Sequence, residues 1–351
     1  NKETFKTRKV SKVFFTFPKI FSYSMQDLFK PYQILFDNHF TNFKVDKAPE
    51  NLYDPIRYLM KIKGKRIRPI LTLLSADIFG LNPNEALNAA LSVEIFHNFT
   101  LVHDDIMDEA TLRRGAVTVH NKWDLNTAIL SGDAMLIQAY KVLESYPDPL
   151  FKKLFHLLNK TAAEVCEGQQ YDLDFEKNNE FNIDNYIKMI RLKTAVLIGC
   201  CLKMGAIIGG ATQEDCNLLY EFGIEMGIAF QLQDDYLDSF GNSEDFGKRI
   251  GGDIIRNKKT ILYHMILKRG DLENQNKIKE ILSLAGEKLN PKEKINQANK
   301  IYIESGAKDA TREMINFYSK SAEEKIKSLT INNEKKEIFI NLVKWLMKRE
   351  K

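Results

Sequence analysis

Residues 89–108 read "AALSVEIFHNFTLVHDDIMD", and this stretch decides the fold class. Its apolar residues fall at helical rather than strand spacing, so a largely buried helix is predicted. That helix runs straight into Asp104, Asp105 and Asp108. Residues three and four apart share a helix face, so Asp104 and Asp108 project together with Asp105 beside them. The C-terminal end of a helix is its electronegative end. Carboxylates gathered there are unfavourable unless something positive neutralises them.

Working outward, helical spacing recurs almost throughout from Met25. It is seen in Ile70, Leu73, Leu74 and Ile78, and again in Leu150, Leu154, Leu157 and Leu158. Strand-like alternation with Asn-Gly or Asp-Gly turns is absent. Pro69, Pro83, Pro147 and Pro149 fall at segment edges, with loops expected at "GLNPNE", "YPDP" and the Gly/Asp/Lys-rich segment after Asp238. One biased stretch, rich in Lys, Asn and Glu, runs from about Asp271 to Asn299 and reads as a linker. A single all-α domain over residues 25–351 is the expected architecture.

The 351 residues are 44% hydrophobic and 28% charged, as in a folded globular protein. Their 51 Lys and Arg against 47 Asp and Glu leave a net charge of +4, which gives no general case for nucleic acid as a partner. Cys166, Cys200, Cys201 and Cys216 form no CxxC pair and sit in apolar, helix-like surroundings. Reduced thiols and a cytoplasmic setting are therefore expected. The longest apolar run, "AVLIGCCLKMGAIIGG" at 195–210, is broken by Lys203 and fits a buried helix; no stable membrane insertion is expected. Residues 1–24 are basic, with Glu3 their one acid. They read as a disordered leader, either sequence translated upstream of a start at Met25 or an organelle-targeting peptide.

The acidic pattern occurs twice. After the apolar run "YEFGIEMGIAFQLQ" comes "DDYLD", giving Asp234, Asp235 and Asp238. One such motif alone reads as a solvated acidic helix end; two copies, each closing an apolar helix, point to bound cations. Oxygen donors with no interleaved His or Cys select a hard ion, Mg²⁺, over zinc. Mg²⁺ completes its shell with water and phosphate, so the two clusters suggest a diphosphate held between several Mg²⁺ ions. Lysines and arginines supply the second half of a diphosphate site. "GKRIRP" carries Lys65, Arg66 and Arg68; "RRG" carries Arg113 and Arg114; Lys193, Lys248, Lys258 and Lys259 follow. The glycines of "FGKRIGGD" match neither GxGxxG nor a P-loop, so nucleotide binding has little support.

Taken in order, "GKRIRP", "EIFHNFTLVHDDIMD", "RRG", "EGQQYD", "KTA", "FQLQDDYLD" and "GKRIGGDIIRNKKT" resemble the trans-isoprenyl diphosphate synthases, the polyprenyl synthase family. The likeness runs from about Met25 to the C-terminal "LVKWLMKREK". It implies a bundle of antiparallel helices around a deep central cavity, and a homodimer. It further implies a Mg²⁺-dependent prenyltransferase of the short-chain farnesyl or geranylgeranyl type, with isopentenyl diphosphate and an allylic diphosphate (dimethylallyl, geranyl or farnesyl) as substrates. Asp104, Asp105, Asp108, Asp234 and Asp238 resemble the carboxylates that hold Mg²⁺; Asp235 completes the motif and acts more through contacts to its neighbours. Arg113, Lys193 and Lys258, with Lys248 nearby, resemble the cations on the allylic diphosphate. Lys65, Arg68, His97 and Arg114 resemble the isopentenyl diphosphate pocket. Thr194 and Gln231 are expected to line the reacting centre, with Gln169 and Asp172 in support. His97, two turns before Asp104, points into the same cavity on this reading, while His103 reads as a structural hydrogen-bonding residue.

Chain length in this family depends on the cavity floor below the first motif. Phe99 is bulky, Thr100 beside it is small, and Phe96 lies one turn further down, so a C15 to C20 product is expected, with C20 favoured. Two other readings compete. A terpene cyclase would lack the "GKRIRP" pocket and carry a different second motif. A non-catalytic regulatory subunit would be expected to have lost one acidic motif.

Overall fold

Ser24 begins the first helix. Its Oγ accepts the Asp27 N–H at 3.2 Å while Asp27 Oδ2 accepts the Ser24 N–H at 3.3 Å, a reciprocal cap. The computed structural model describes residues 24–177, 182–241, 250–283 and 286–348. The leader expected at 1–24 therefore lies, apart from Ser24, outside the described residues. So does Lys248.

In chain order the helices are α1 (Met25–Asn42), α2 (Glu50–Lys61), α3 (Ile67–Ile78), α4 (Leu87–Met107), α5 (Val119–Lys122), α6 (Leu125–Leu143) and α7 (Asp148–Lys177). Next, α8 (Ile183–Ile190) passes through a π-helical segment, Arg191–Ala195, into α9 (Val196–Ile208), followed by α10 (Gln213–Phe240). Then come α11 (Gly252–Ile255), α12 (Ile261–Arg269), α13 (Leu272–Ile281), α14 (Pro291–Glu304), α15 (Ala307–Lys327) and α16 (Asn333–Met347). The apolar stripes set the packing: Ile70, Leu73, Leu74, Ile78, Leu154 and Leu158 are all buried. Helix α9 occupies the middle, against α3, α4, α7 and α10, while α10 also lies along α15. No helix among the described residues is long and apolar enough to cross a membrane. The last helix packs on the bundle through Phe339 on Phe222 and Trp345 on Phe29.

The structure adds two features and corrects one expectation. Leu112–Arg113 and Ala116–Val117 pair as a two-stranded antiparallel ribbon, too short for any alternation to show in sequence. Pro31 and Pro55 sit inside α1 and α2. The Lys/Asn/Glu-rich stretch is not a linker: α13 and α14 fold there, with Ile278, Ile281, Ala298 and Ile301 buried.

Candidate active site

The first acidic motif closes α4. Asp108 is its C-cap, with its N–H on Asp104 O at 2.8 Å, and Glu109 (φ 49°) then turns the chain away in the left-handed conformation. Asp105 is buried and taken by Arg113 of the ribbon, whose Nε and Nη2 donate to its Oδ1 at 2.7 and 2.5 Å. Asp104 is half-buried and Asp108 exposed. Burial pushes the Asp104 carboxyl above the usual range; Lys193 and Arg113 pull it down, while Asp108 and Asp172 push it further up. Six charged groups thus meet at the end of one helix: Asp104, Asp105, Asp108, Asp172, Arg113 and Lys193.

The second motif lies in the last turns of α10. Asp235 is buried, and both its oxygens are taken. Tyr186 O–H and Ile261 N–H donate to Oδ2, the latter at 3.4 Å, and Gln231 Nε2 donates to Oδ1 at 3.2 Å. Burial first, with help from Asp253, raises its pKa to about 7 against the pull of Lys258, Tyr186 and Gln231. Asp238 Oδ2 accepts the Asp253 N–H at 3.0 Å. Asp234 is half-buried. Lys258 is open to solvent yet surrounded by protein, as on the wall of a cleft. Burial opposes its charge, but Asp253, Asp235 and Asp172 outweigh that and hold its pKa above the ordinary value.

Asp172 joins the two motifs, since its charge is felt at both Asp104 and Lys258. It accepts from Lys193 Nζ at 2.5 Å. Gly168, one turn earlier on α7, makes this possible: a Cβ there would lie 2.3 Å from the Lys193 backbone nitrogen, so only glycine lets α7 rest on the π segment. π-helical turns often mark functional sites, and this one carries Lys193 and Thr194. Gln169 donates to Met107 Sδ at 3.5 Å, and its Oε1 is buried with no partner among the described residues. Among those residues no three His, Cys, Asp or Glu side chains are gathered as a metal would hold them; Asp105 and Asp172 are instead engaged by Arg113 and Lys193.

Two turns down α4 the charge reverses. Arg66, at the left-handed start of α3 (φ 50°), turns inward to a buried ion pair with Glu94. That leaves Arg68 and Arg114 with no carboxylate partner among the described residues, and Arg68 Nε is buried with no hydrogen bond. Arg68 Nη1 lies 3.3 Å from His97 Nε2; arginine can only donate, so Nε2 is the acceptor and the imidazole is neutral. The His97 pKa is pushed well below the ordinary range, by burial first and then by Arg68, Arg114, Arg113 and Arg66. A depressed value adds stability above the unfolded pKa of about 6.5, lost as pH falls from there through the folded value. Acidification from about pH 7.5 to 5 should therefore lower the melting temperature of the wild type more than that of His97→Gln. Equal slopes in the two melting series would mean that His97 takes up its proton as readily in the folded as in the unfolded chain. Lys65 is exposed at the edge of this cationic pocket.

Below the carboxylates, Phe99 sits between His103 (ring centroids 4.9 Å apart) and Phe96 (5.5 Å), and Phe96 is fully buried. Thr100 Oγ1 is bonded to His97 O at 2.8 Å. His103 Nε2 donates to Ile129 O at 3.3 Å, against α6. Glu94, Tyr186 and Asp253 went unnoticed in the sequence. Each acts through a contact with a motif residue, and for Tyr186 that partner is far along the chain.

Residues 49–301 match the polyprenyl synthetase family. The geranylgeranyl diphosphate synthase of Methanosarcina mazei is 35% identical over 304 residues, 86% of this chain and 91% of that protein. The geranylfarnesyl diphosphate synthase of Aeropyrum pernix is 32% identical over 326 residues, 91% and 100% of the two chains. A crystal structure of a geranylgeranyl pyrophosphate synthase superposes with a TM-score of 0.85 at 43% identity, covering 93% of this chain and 99% of that one. With its acidic helix ends, its arginine pocket and this likeness along most of its length, the chain belongs to the polyprenyl synthetase family.

Proposed function

We infer that this chain elongates dimethylallyl, geranyl and farnesyl diphosphate with isopentenyl diphosphate, and that its main product is the C20 geranylgeranyl diphosphate. One observation carries the reading: two anion sites of opposite construction share α4. One is a carboxylate cluster at its end; the other, two turns below, is a pocket of two arginines with no carboxylate partner among the described residues, around a neutral histidine. A single diphosphate needs only one such site, whereas a condensation of two diphosphates needs both. Two intact acidic motifs speak against a regulatory subunit, and the Arg68 pocket against a cyclase.

The donor set fits Mg²⁺. Asp104, Asp108 and Asp234 offer only oxygens, and Asp104 lies among like charges that a cation would relieve. Bound there, Mg²⁺ would supply positive charge against the leaving diphosphate. The chain's own residues do the rest. Lys193 and Lys258 hold the allylic diphosphate, with Arg113 fixed on Asp105 beside them, and stabilise its charge as the C1–O bond breaks and the electron pair goes to oxygen. Arg68 and Arg114 hold isopentenyl diphosphate so that its double bond forms the new bond to C1. A proton then leaves for the released diphosphate, so no side-chain base is required. Gln169, Thr194 and Gln231 offer polar groups around the reacting centre, and the phenylalanines keep water from the cation.

Labelled isopentenyl diphosphate, offered with each allylic primer with and without Mg²⁺, tests the reading. Mg²⁺-dependent elongation ending at C20 is expected. Arg68→Met should raise the KM for isopentenyl diphosphate about a hundredfold and leave the allylic KM near wild type. No elongation with any primer by folded protein would overturn the assignment, and isoprenoid release without isopentenyl diphosphate would replace it with a cyclase.

Leu125, Ile129, Leu130 and Ile137 of α6, with Phe155 of α7, form an exposed apolar face that supports a homodimer. Sedimentation equilibrium should give twice the chain mass, and Ile137→Glu the single mass. The four free cysteines, three of them buried, suit a reducing cytoplasm. Residues 25–351 form one synthase domain on this reading.

A further inference from the structure

Lys294 of α14 is only 3% exposed, a depth at which lysine is rarely found. Its Nζ donates to Asn257 Oδ1 at 2.5 Å and to Ile255 O at 3.5 Å, both in the turn that delivers Lys258. Asn257 is left-handed (φ 58°), a conformation that asparagine takes more readily than other residues with a Cβ, and the Lys294 bond fixes its side chain there. Lys258 N–H then closes on Asp253 O at 2.9 Å.

The other side of this segment is tied to the second acidic motif. Gly251 N–H donates to Asp238 O at 2.6 Å, and Asp253 N–H to Asp238 Oδ2 at 3.0 Å. Helix α14 presses on the same segment and on the end of α10. A Cβ at Gly251 (φ 77°) would lie 2.4 Å from Ile295 Cδ1, and Asn299 Nδ2 donates to Ser239 O at 2.9 Å. The turn is held between α10 and α14, and Lys294 bonds the residue that directly precedes Lys258.

We propose that Lys294 is a positioning residue for Lys258: its bond to Asn257 holds the left-handed turn that sets where the Lys258 ammonium meets the allylic diphosphate. This rests on the reading of Lys258 as a ligand of that diphosphate. Four variants test it: Lys294→Met, Asn257→Gly, Lys258→Ala, and Lys294→Met combined with Lys258→Ala. Asn257→Gly permits the left-handed turn but removes the acceptor through which Lys294 holds it, so it serves even if Lys294→Met fails to fold.

Lys294→Met and Asn257→Gly should each raise the KM for the allylic diphosphate roughly tenfold and change that for isopentenyl diphosphate less than about twofold. In the Lys258→Ala background, Lys294→Met should add nothing. An unchanged allylic KM in folded Asn257→Gly, a parallel rise in both KM values, or a full additional effect in the double variant would overturn the proposal. If Lys258→Ala itself left the allylic KM unchanged, the assignment of Lys258 would fail instead, and the proposal with it.

Discussion

Asp104→Asn is expected to lower kcat about 10²–10³-fold, the loss seen when one preorganised stabiliser of developing charge is removed. The fold should be at least as stable as the wild type. Asp104 is half-buried at the negative end of α4; burial works against its charge first, Asp108 and Asp172 add to that, and Lys193 and Arg113 offset it only in part. Its carboxyl is raised above the usual range, so the stability it adds at low pH is lost as pH rises through the folded value. Near neutrality the ionised group weakens the fold, and asparagine removes that cost. What asparagine cannot supply is a hard anionic oxygen for a divalent cation. Kinetics over a range of Mg²⁺ concentrations, alongside thermal melts, separate the two effects. A kcat within tenfold of wild type, with folding intact, would remove Asp104 from the chemistry. A large drop in melting temperature would make the loss structural.

Much of this was legible in the sequence, because helical spacing fixes which residues share a face and because carboxylates at the end of an apolar helix demand a counter-charge. Spacing did not reveal how each motif divides its labour. The second aspartate of each pair, Asp105 and Asp235, is buried and held by protein partners, while Asp104 and Asp234 remain half-buried. Neighbouring helical residues differ by a rotation of about 100°, and only the packing of α4 and α10 says which of the two turns inward. Arg66 shows the same limit. It reads as one more cation of "GKRIRP", yet a left-handed turn sends it to Glu94. Lys294 lay in a stretch whose composition reads as solvated, and composition carries no information about a single buried contact.

Phe99→Ala is expected to move the main product from C20 to C25 or longer. Phe99 lies five residues before Asp104, about 7.5 Å along the helix, where a growing chain anchored by its diphosphate would press. Its ring is held between His103 and Phe96 rather than against open solvent, so it is a fixed wall. Truncating a core phenylalanine costs about 3–5 kcal/mol, and the variant should melt at a lower temperature than the wild type. Phe96 is fully buried behind it, so shrinking Phe96 alone should destabilise the protein without opening the path. Opening both positions should lengthen the product further than Phe99→Ala alone. Chain length is read from the molecules that are made, so a smaller folded fraction lowers the yield without shifting the distribution. A C20 product from folded Phe99→Ala would therefore place the floor elsewhere in the cavity. A C25 or longer product would show that one aromatic ring separates this chain's product from that named for its Aeropyrum pernix relative.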